Sequence, residues 1–156
     1  MLKENFIKLN LFYRGLPSEG QDFLQEIPNS GIEKIEKSFN YVYTNPLYNS
    51  CDNSQVGTCK IVGNNTTIDN QTKILGNLSF ILYLENGSLT FSYNDIRDFK
   101  PDPVTGILLI PLGTERSLTF IYGSGDYYKA NVKYSSLVTL REDINKNRFF
   151  EIIIQK

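Results

Sequence analysis

The chain has 156 residues, 13% of them aromatic, 40% hydrophobic and 21% charged, and its sixteen Lys/Arg nearly balance seventeen Asp/Glu. That composition describes a folding chain of single-domain size, and the balanced charge exerts no pull toward nucleic acid or an anionic membrane. Histidine and tryptophan are absent, which excludes Ser-His-Asp and Cys-His nucleophile pairs, imidazole acid–base catalysis and His-ligated zinc or haem.

Period-two alternation of apolar residues dominates, the mark of β-structure. Ile7, Leu9, Leu11 and Tyr13 share one face of a first strand. Residues 15–30 hold two prolines, two glycines and the short apolar patch Phe23-Leu24, and read as a long loop or arm reaching to residue 38. Residues 32–37, after Gly31, suit a single helical turn. Tyr41-Val42-Tyr43 opens a second strand, stopped by Asn45-Pro46. Residues 58–62 form a short strand, and 63–70 a polar loop.

Residues 78–84 then alternate Leu78, Phe80, Leu82 and Leu84 against Ser79, Ile81 and Tyr83. Asn86-Gly87 suits a type I′ turn, because both residues tolerate positive φ, and joins that strand to 89–93 as a hairpin. Lys100-Pro101-Asp102-Pro103 forces an extended loop. Strands over 107–112, 117–122, 131–140 and 148–154 complete the set, with a charged and polar turn at 141–147. Eight or nine strands without a long helix predict one all-β domain over residues 1–156. Short consecutive loops favour a closed antiparallel barrel of eight strands.

The N-terminal stretch is interrupted by Lys3, Glu4, Asn5, Lys8 and Asn10, so it lacks a signal-peptide core, and no apolar run approaches the ~20 residues of a membrane span. The expected location is cytoplasmic. Five N-x-Ser/Thr sequons begin at Asn64, Asn65, Asn70, Asn77 and Asn86, in a chain with sixteen asparagines; those in and beside the 78–84 hairpin read as structural. Cys51 and Cys59 bracket a polar segment, which leaves two readings open: free thiols or a loop-closing disulfide. Two cysteines without histidine do not make a metal site.

Several segments together resemble the allene oxide cyclase and dirigent family. They are Asn45-Pro46-Leu47-Tyr48, Gly57-Thr58-Cys59, an alternating hairpin with a Gly turn, Gly123-Ser124-Gly125 with Tyr127 after it, and the long hairpin from Ala130 to Ile154. The resemblance covers residues 41–154. It implies an eight-stranded barrel, assembled as a trimer, with an apolar lumen for a fatty-acid epoxide. It places Asn45 with Pro46, and Asn10, at an ordered water, Cys59 inside the barrel, and Lys8 where the family has a glutamate. A cation there does not serve a developing pentadienyl cation, although Glu4 is a candidate substitute.

Bland readings compete at each position. Cys59 suits a small buried apolar residue, Asn45 before Pro46 a turn, and Gly123-Ser124-Gly125 a tight turn, since no helix or Gly-Lys-Ser/Thr follows. Asp95, Asp98, Asp102 and Glu115 form no recognisable pair. The tyrosines and phenylalanines read first as core. The sequence therefore predicts a non-catalytic barrel, an oligomer-forming structural or binding module of a larger assembly such as a virion. The alternative is a cyclase or isomerase that shapes an apolar flexible substrate within the lumen, through Asn45, Pro46, Cys59, Phe80 and Tyr122, with Asn10 as a further catalytic candidate. No cofactor, metal, nucleic acid or membrane span is implied.

Overall fold

The computed structural model describes residues 5–14, 21–27, 38–68, 73–98, 115–139 and 147–156. Ten strands form one antiparallel sheet, and no helix occurs among the described residues. They are β1 (Phe6–Tyr13), β2 (Gln21–Ile27), β3 (Ser38–Asn49), β4 (Gln55–Ile68), β5 (Lys73–Leu84), β6 (Gly87–Asp98), β7 (Glu115–Ser117), β8 (Thr119–Gly125), β9 (Asn131–Thr139) and β10 (Arg148–Gln155).

The strand order runs β7-β9-β10-β1-β3-β4-β5-β6-β8, with β2 off this path against β3. The two ends of the path, β7 and β8, are one length of chain interrupted at Leu118. Glu115–Ser117 pairs with β9 and Thr119–Gly125 with β6, so this bent strand brings the sheet round into a nearly closed barrel of eight staves. Ser135 holds the bend on both sides: the Leu118 N–H donates to the Ser135 carbonyl at 2.9 Å, and Ser135 Oγ donates to the Leu118 carbonyl at 2.8 Å. The expected eight-stranded barrel is therefore the fold, with β2 as an added strand.

Inward residues follow the predicted alternation. Leu11, Tyr13, Leu47, Cys59, Ile61, Phe80, Leu82, Leu89, Phe91, Leu137, Phe150 and Ile152 form the core, and each large side chain removed from water contributes about 1.5–3 kcal/mol. Opposite parity faces outward. There Phe149, Phe12 and Tyr48 stack at centroid distances of 5.2 Å each, and the Arg14 guanidinium lies 5.4 Å from the Tyr48 ring. This stack ties β10, β1 and β3 together where β1 and β3 share only Leu11↔Asn49 and Phe12↔Tyr48.

Several boundaries differ from the sequence expectation. Residues 21–27, read as part of an arm, form β2 and pair with β3 from Gln21↔Tyr43 to Ile27↔Ser38. Asn45-Pro46 does not stop β3, which runs on to Asn49. Pro46 lies between the stretch of β3 paired with β2 and the stretch paired with β1. Neither of these partners needs an N–H there, so a proline is tolerated. The supposed polar loop after Val62 is β-ladder as far as Ile68.

The Asn86-Gly87 hairpin forms, but Leu84 pairs with Gly87, so the loop is Glu85-Asn86. Asn86 is not among the residues of positive φ, and the turn is not type I′. Gly87 is required for a different reason: a Cβ there would lie 2.1 Å from the Ser124 carbonyl oxygen. The helical turn expected at 32–37, the Pro-rich loop at 100–103, the strand at 107–112 and most of the 141–147 turn lie outside the described residues.

Candidate functional site

The barrel interior is where the sequence reading placed a site. Phe150 of β10 is buried within it at 1% exposure. Its ring meets Phe80 of β5 edge-on at 5.6 Å and Tyr13 of β1 at 5.7 Å. Three strands thus send aromatic rings into one contact chain across the lumen, with Leu47, Leu82, Leu89, Phe91 and Ile152 filled in around it at zero or near-zero exposure.

Polar groups collect at one end of this core. The Arg148 Nη1 donates to the Tyr13 hydroxyl at 3.3 Å, with the guanidinium 5.7 Å from the ring centroid. Arg116 of β7, only 6% exposed, sits 5.4 Å from the Tyr93 ring of β6. Burial pushes the Tyr13 hydroxyl pKa up, opposed by Arg148, while nearby Cys59 adds to the rise. Burial likewise raises the Cys59 thiol well above its ordinary value, and Arg148 offsets only part of that rise. Both groups hold their protons at neutral pH, so Cys59 in this state is not a thiolate nucleophile. No carboxylate whose side chain is described is buried.

The individual candidates separate by strand parity. Cys59 of β4 and Asn45 of β3 are directly paired and both point inward, at 0% and 5% exposure. Phe80 is inward and belongs to the aromatic chain. Asn10 and Lys8 share the parity of outward-facing Phe12, so Asn10 does not join Asn45 at a common water site. Lys8 lies on the outer surface, 3.6 Å from Glu151, and does not occupy the lumen position that alignment with the family gives it. The Asn10 carbonyl instead accepts from the Ser50 N–H and hydroxyl at 2.9 Å each, anchoring the β3–β4 turn. Glu4 lies outside the described residues.

Pro46 is exposed, and so is Tyr122, at 54%. Tyr122 is turned outward because its partner Thr90 is outward and a β-bulge separates the Thr90↔Tyr122 and Phe91↔Phe120 pairs. Cys51 is exposed in the turn after β3 while Cys59 is buried in β4, and both are free thiols; the disulfide alternative is not the one adopted. In that turn the Asp52 carboxylate accepts from the Ser54 hydroxyl and N–H at 2.7 and 2.9 Å, which lowers its pKa.

Tyr13, Arg116 and Arg148 were not among the sequence candidates. The alternation already implied them: Arg148 is in phase with Phe150 and Ile152, and Arg116 with Leu118 and Phe120. An arginine in an inward phase is the signal, since a charge at a core position needs a specific reason to be there. At the opposite end of the barrel, the 126–130 turn, Ile7, Ile154 and Asn86 border an open depression of about 710 Å³. Among the described residues no three His, Cys, Asp or Glu side chains converge on a metal position, and no helix is long and apolar enough to cross a membrane.

No family model matches the chain, and no curated protein matches it. Among solved structures it is similar to pyocyanin demethylase, with a TM-score of 0.52 at 11% identity, over 94% of this chain and 99% of that one. At that identity the likeness extends to the barrel fold alone.

Proposed function

We propose that this chain is a non-catalytic barrel that serves as an oligomer-forming structural or binding module. The observation that supports it most directly is the Tyr13–Phe150–Phe80 contact chain across the lumen, where a barrel acting on an apolar substrate needs open space. The chemistry points the same way. The inward thiol and phenol stay protonated through burial, and Asn10 and Lys8 lie on the outer face, away from Asn45 and Cys59.

A second reading is favoured by the arginine end. Arg116 and Arg148 with Tyr13 and Tyr93 give that end of the lumen a polar, aromatic lining, and the structural neighbour carries the name of an enzyme. On this reading the barrel is an isomerase or cyclase, or a carrier, with the substrate held by shape. Titration with cis-parinaric acid, a fatty acid that fluoresces in apolar surroundings, separates the two. The filled interior predicts no saturable signal. Stoichiometric binding at micromolar concentration, lost in a Cys59→Phe variant, would overturn the non-catalytic assignment.

A further inference from the structure

The outer face of the barrel is unevenly charged. On the β9–β10–β1 side, Lys8, Glu151 and Glu115 point outward, with Lys8 and Glu151 paired and Glu115 accepting from the Tyr134 hydroxyl. The outward rows across β4, β5 and β6 between Thr58 and Thr66 differ. Extended onto β8 by register, they read Thr58–Tyr83–Ser88–Ser124, Lys60–Ile81–Thr90–Tyr122, Val62–Ser79–Ser92–Thr119, Asn64–Asn77–Asn94 and Thr66–Leu75–Ile96. Lys60 is their one charge, and they contain no carboxylate.

Apolar side chains stand out on this face: Ile96 and Ile121 are each 59% exposed, Tyr122 54% and Tyr83 46%. Two of these owe their position to a specific device. The β-bulge in the β6–β8 ladder inserts Ile121 between paired residues, so consecutive residues Ile121 and Tyr122 are both exposed. A bulge interrupts the ladder and re-aims side chains; here it adds exposed apolar surface to the outside of the barrel.

We propose that the outer face of β4, β5, β6 and β8 is a two-fold contact surface for a second copy of this chain, a reading that rests on the assembly role given above. Charge selects the occupant. A two-fold contact sets residue i of one copy against residue j of the other, and only residues on the axis meet their own kind. With Lys60 as its one charge, off the axis, this face meets a second copy of itself without bringing like charges together. A charged partner would lose hydration here without gaining a counter-charge. The size is suitable as well. Four strands at ~4.8 Å spacing and nine residues at ~3.3 Å span roughly 500 Å² in projection, of the order of the ~800 Å² each partner contributes to a stable interface.

Sedimentation velocity on the full chain from about 1 to about 100 µM tests this. The wild type is expected to dimerise. An Ile121→Lys/Tyr122→Lys variant is expected to dissociate at least ~30-fold more readily, with an unchanged thermal midpoint. Mixing it with the Ile121→Glu/Tyr122→Glu variant is expected to restore a heterodimer. Should either double variant lose its β-sheet circular dichroism, Tyr83→Lys and Tyr83→Glu, on the same face, replace the pair. A wild type that assembles while the variants assemble equally well, or that forms a trimer, overturns the two-fold face and leaves the assembly role standing. A wild type that stays monomeric throughout overturns both.

Discussion

The β3–β4–β5–β6 sheet has two halves that share one ladder and differ in what they turn inward. In the half joined to β8, β9, β10 and β1, the inward rows hold Leu47, Cys59, Ile61, Phe80, Leu82, Leu89 and Phe91, all buried. Beyond the point where β6 parts from β8, the same strands continue, with β2 added beside β3. Their inward rows become Gly63–Leu78–Tyr93 and then reach Gly76. The backbone pairing is equally regular in both halves. Side-chain volume is not, and a barrel stave differs from a simple ladder by what its inner face contributes to a shared core. Stability should therefore be concentrated in the first half.

The comparison can be broken most forcefully at its centre. Phe150→Ala removes the ring that joins Tyr13 to Phe80 and is expected to cost about 3–5 kcal/mol in urea unfolding; a loss below about 1 kcal/mol would mean the core does not depend on that aromatic chain. Gly57→Ala comes next. Its Cβ would lie 1.8 Å from the Tyr83 carbonyl oxygen, so the β4–β5 ladder must shift, at an expected cost of about 1–3 kcal/mol. A Gly57→Ala variant as stable as wild type would show that this close approach is easily relaxed.

A smaller effect is expected where the barrel bends. Ser135→Ala leaves the Leu118 carbonyl without its side-chain donor, at about 1–2 kcal/mol, read as a lowered thermal midpoint. Alkaline pH acts on the same core. Cys59 and Tyr13 are held protonated by burial, so the unfolded chain alone loses these protons as pH passes their ordinary values of 9.0 and 10.0. Fewer protons on the unfolded state mean that stability falls as pH rises from about 8.5 upward. The urea midpoint should decline there in wild type and decline less from a lower starting point in Cys59→Ala; equal slopes would contradict the assignment. Smallest of all, Asn77→Ala, on the exposed face of the second half, should stay within about 0.5 kcal/mol of wild type.

Much of the first half was legible in the sequence because each of its strands alternates large apolar with polar residues. Leu78–Leu84 and Arg148–Ile154 are read correctly for that reason. In the second half, glycine takes the inward positions at 63 and 76, so the period-two signal fades while the ladder continues to Ile68. Pro46 looked like a terminator; a proline ends a strand only where its missing N–H is wanted by a neighbour. The Asn86-Gly87 hairpin was read from sequence, yet its loop is shifted by one residue, because the close approach of Ser124, far along the chain in β8, decides where the glycine is needed.

The site candidates divide along the same line. Cys59 and Phe80 were inward by simple alternation from Ile61 and Leu82. Asn10 and Lys8 depended on an alignment whose phase is opposite to that of Ile7, Leu9 and Leu11, and the structure follows the apolar phase, as the larger free energy of burial requires. Tyr122 shares the sequence parity of inward Leu118, and a single bulge residue turns it outward.

The sequence by itself determined the all-β class, a barrel of eight or nine strands and which face of most barrel strands is apolar, because those follow from local alternation and the solvation of side chains. Only the tertiary structure decided that the Glu115–Gly125 segment bends at Leu118 to bridge β9 and β6, that β2 joins β3, and that the lumen is crossed by Tyr13, Phe150 and Phe80. Closure and filling depend on residues far apart in the chain meeting at particular distances, and no period along one strand records what its neighbours across the barrel will be.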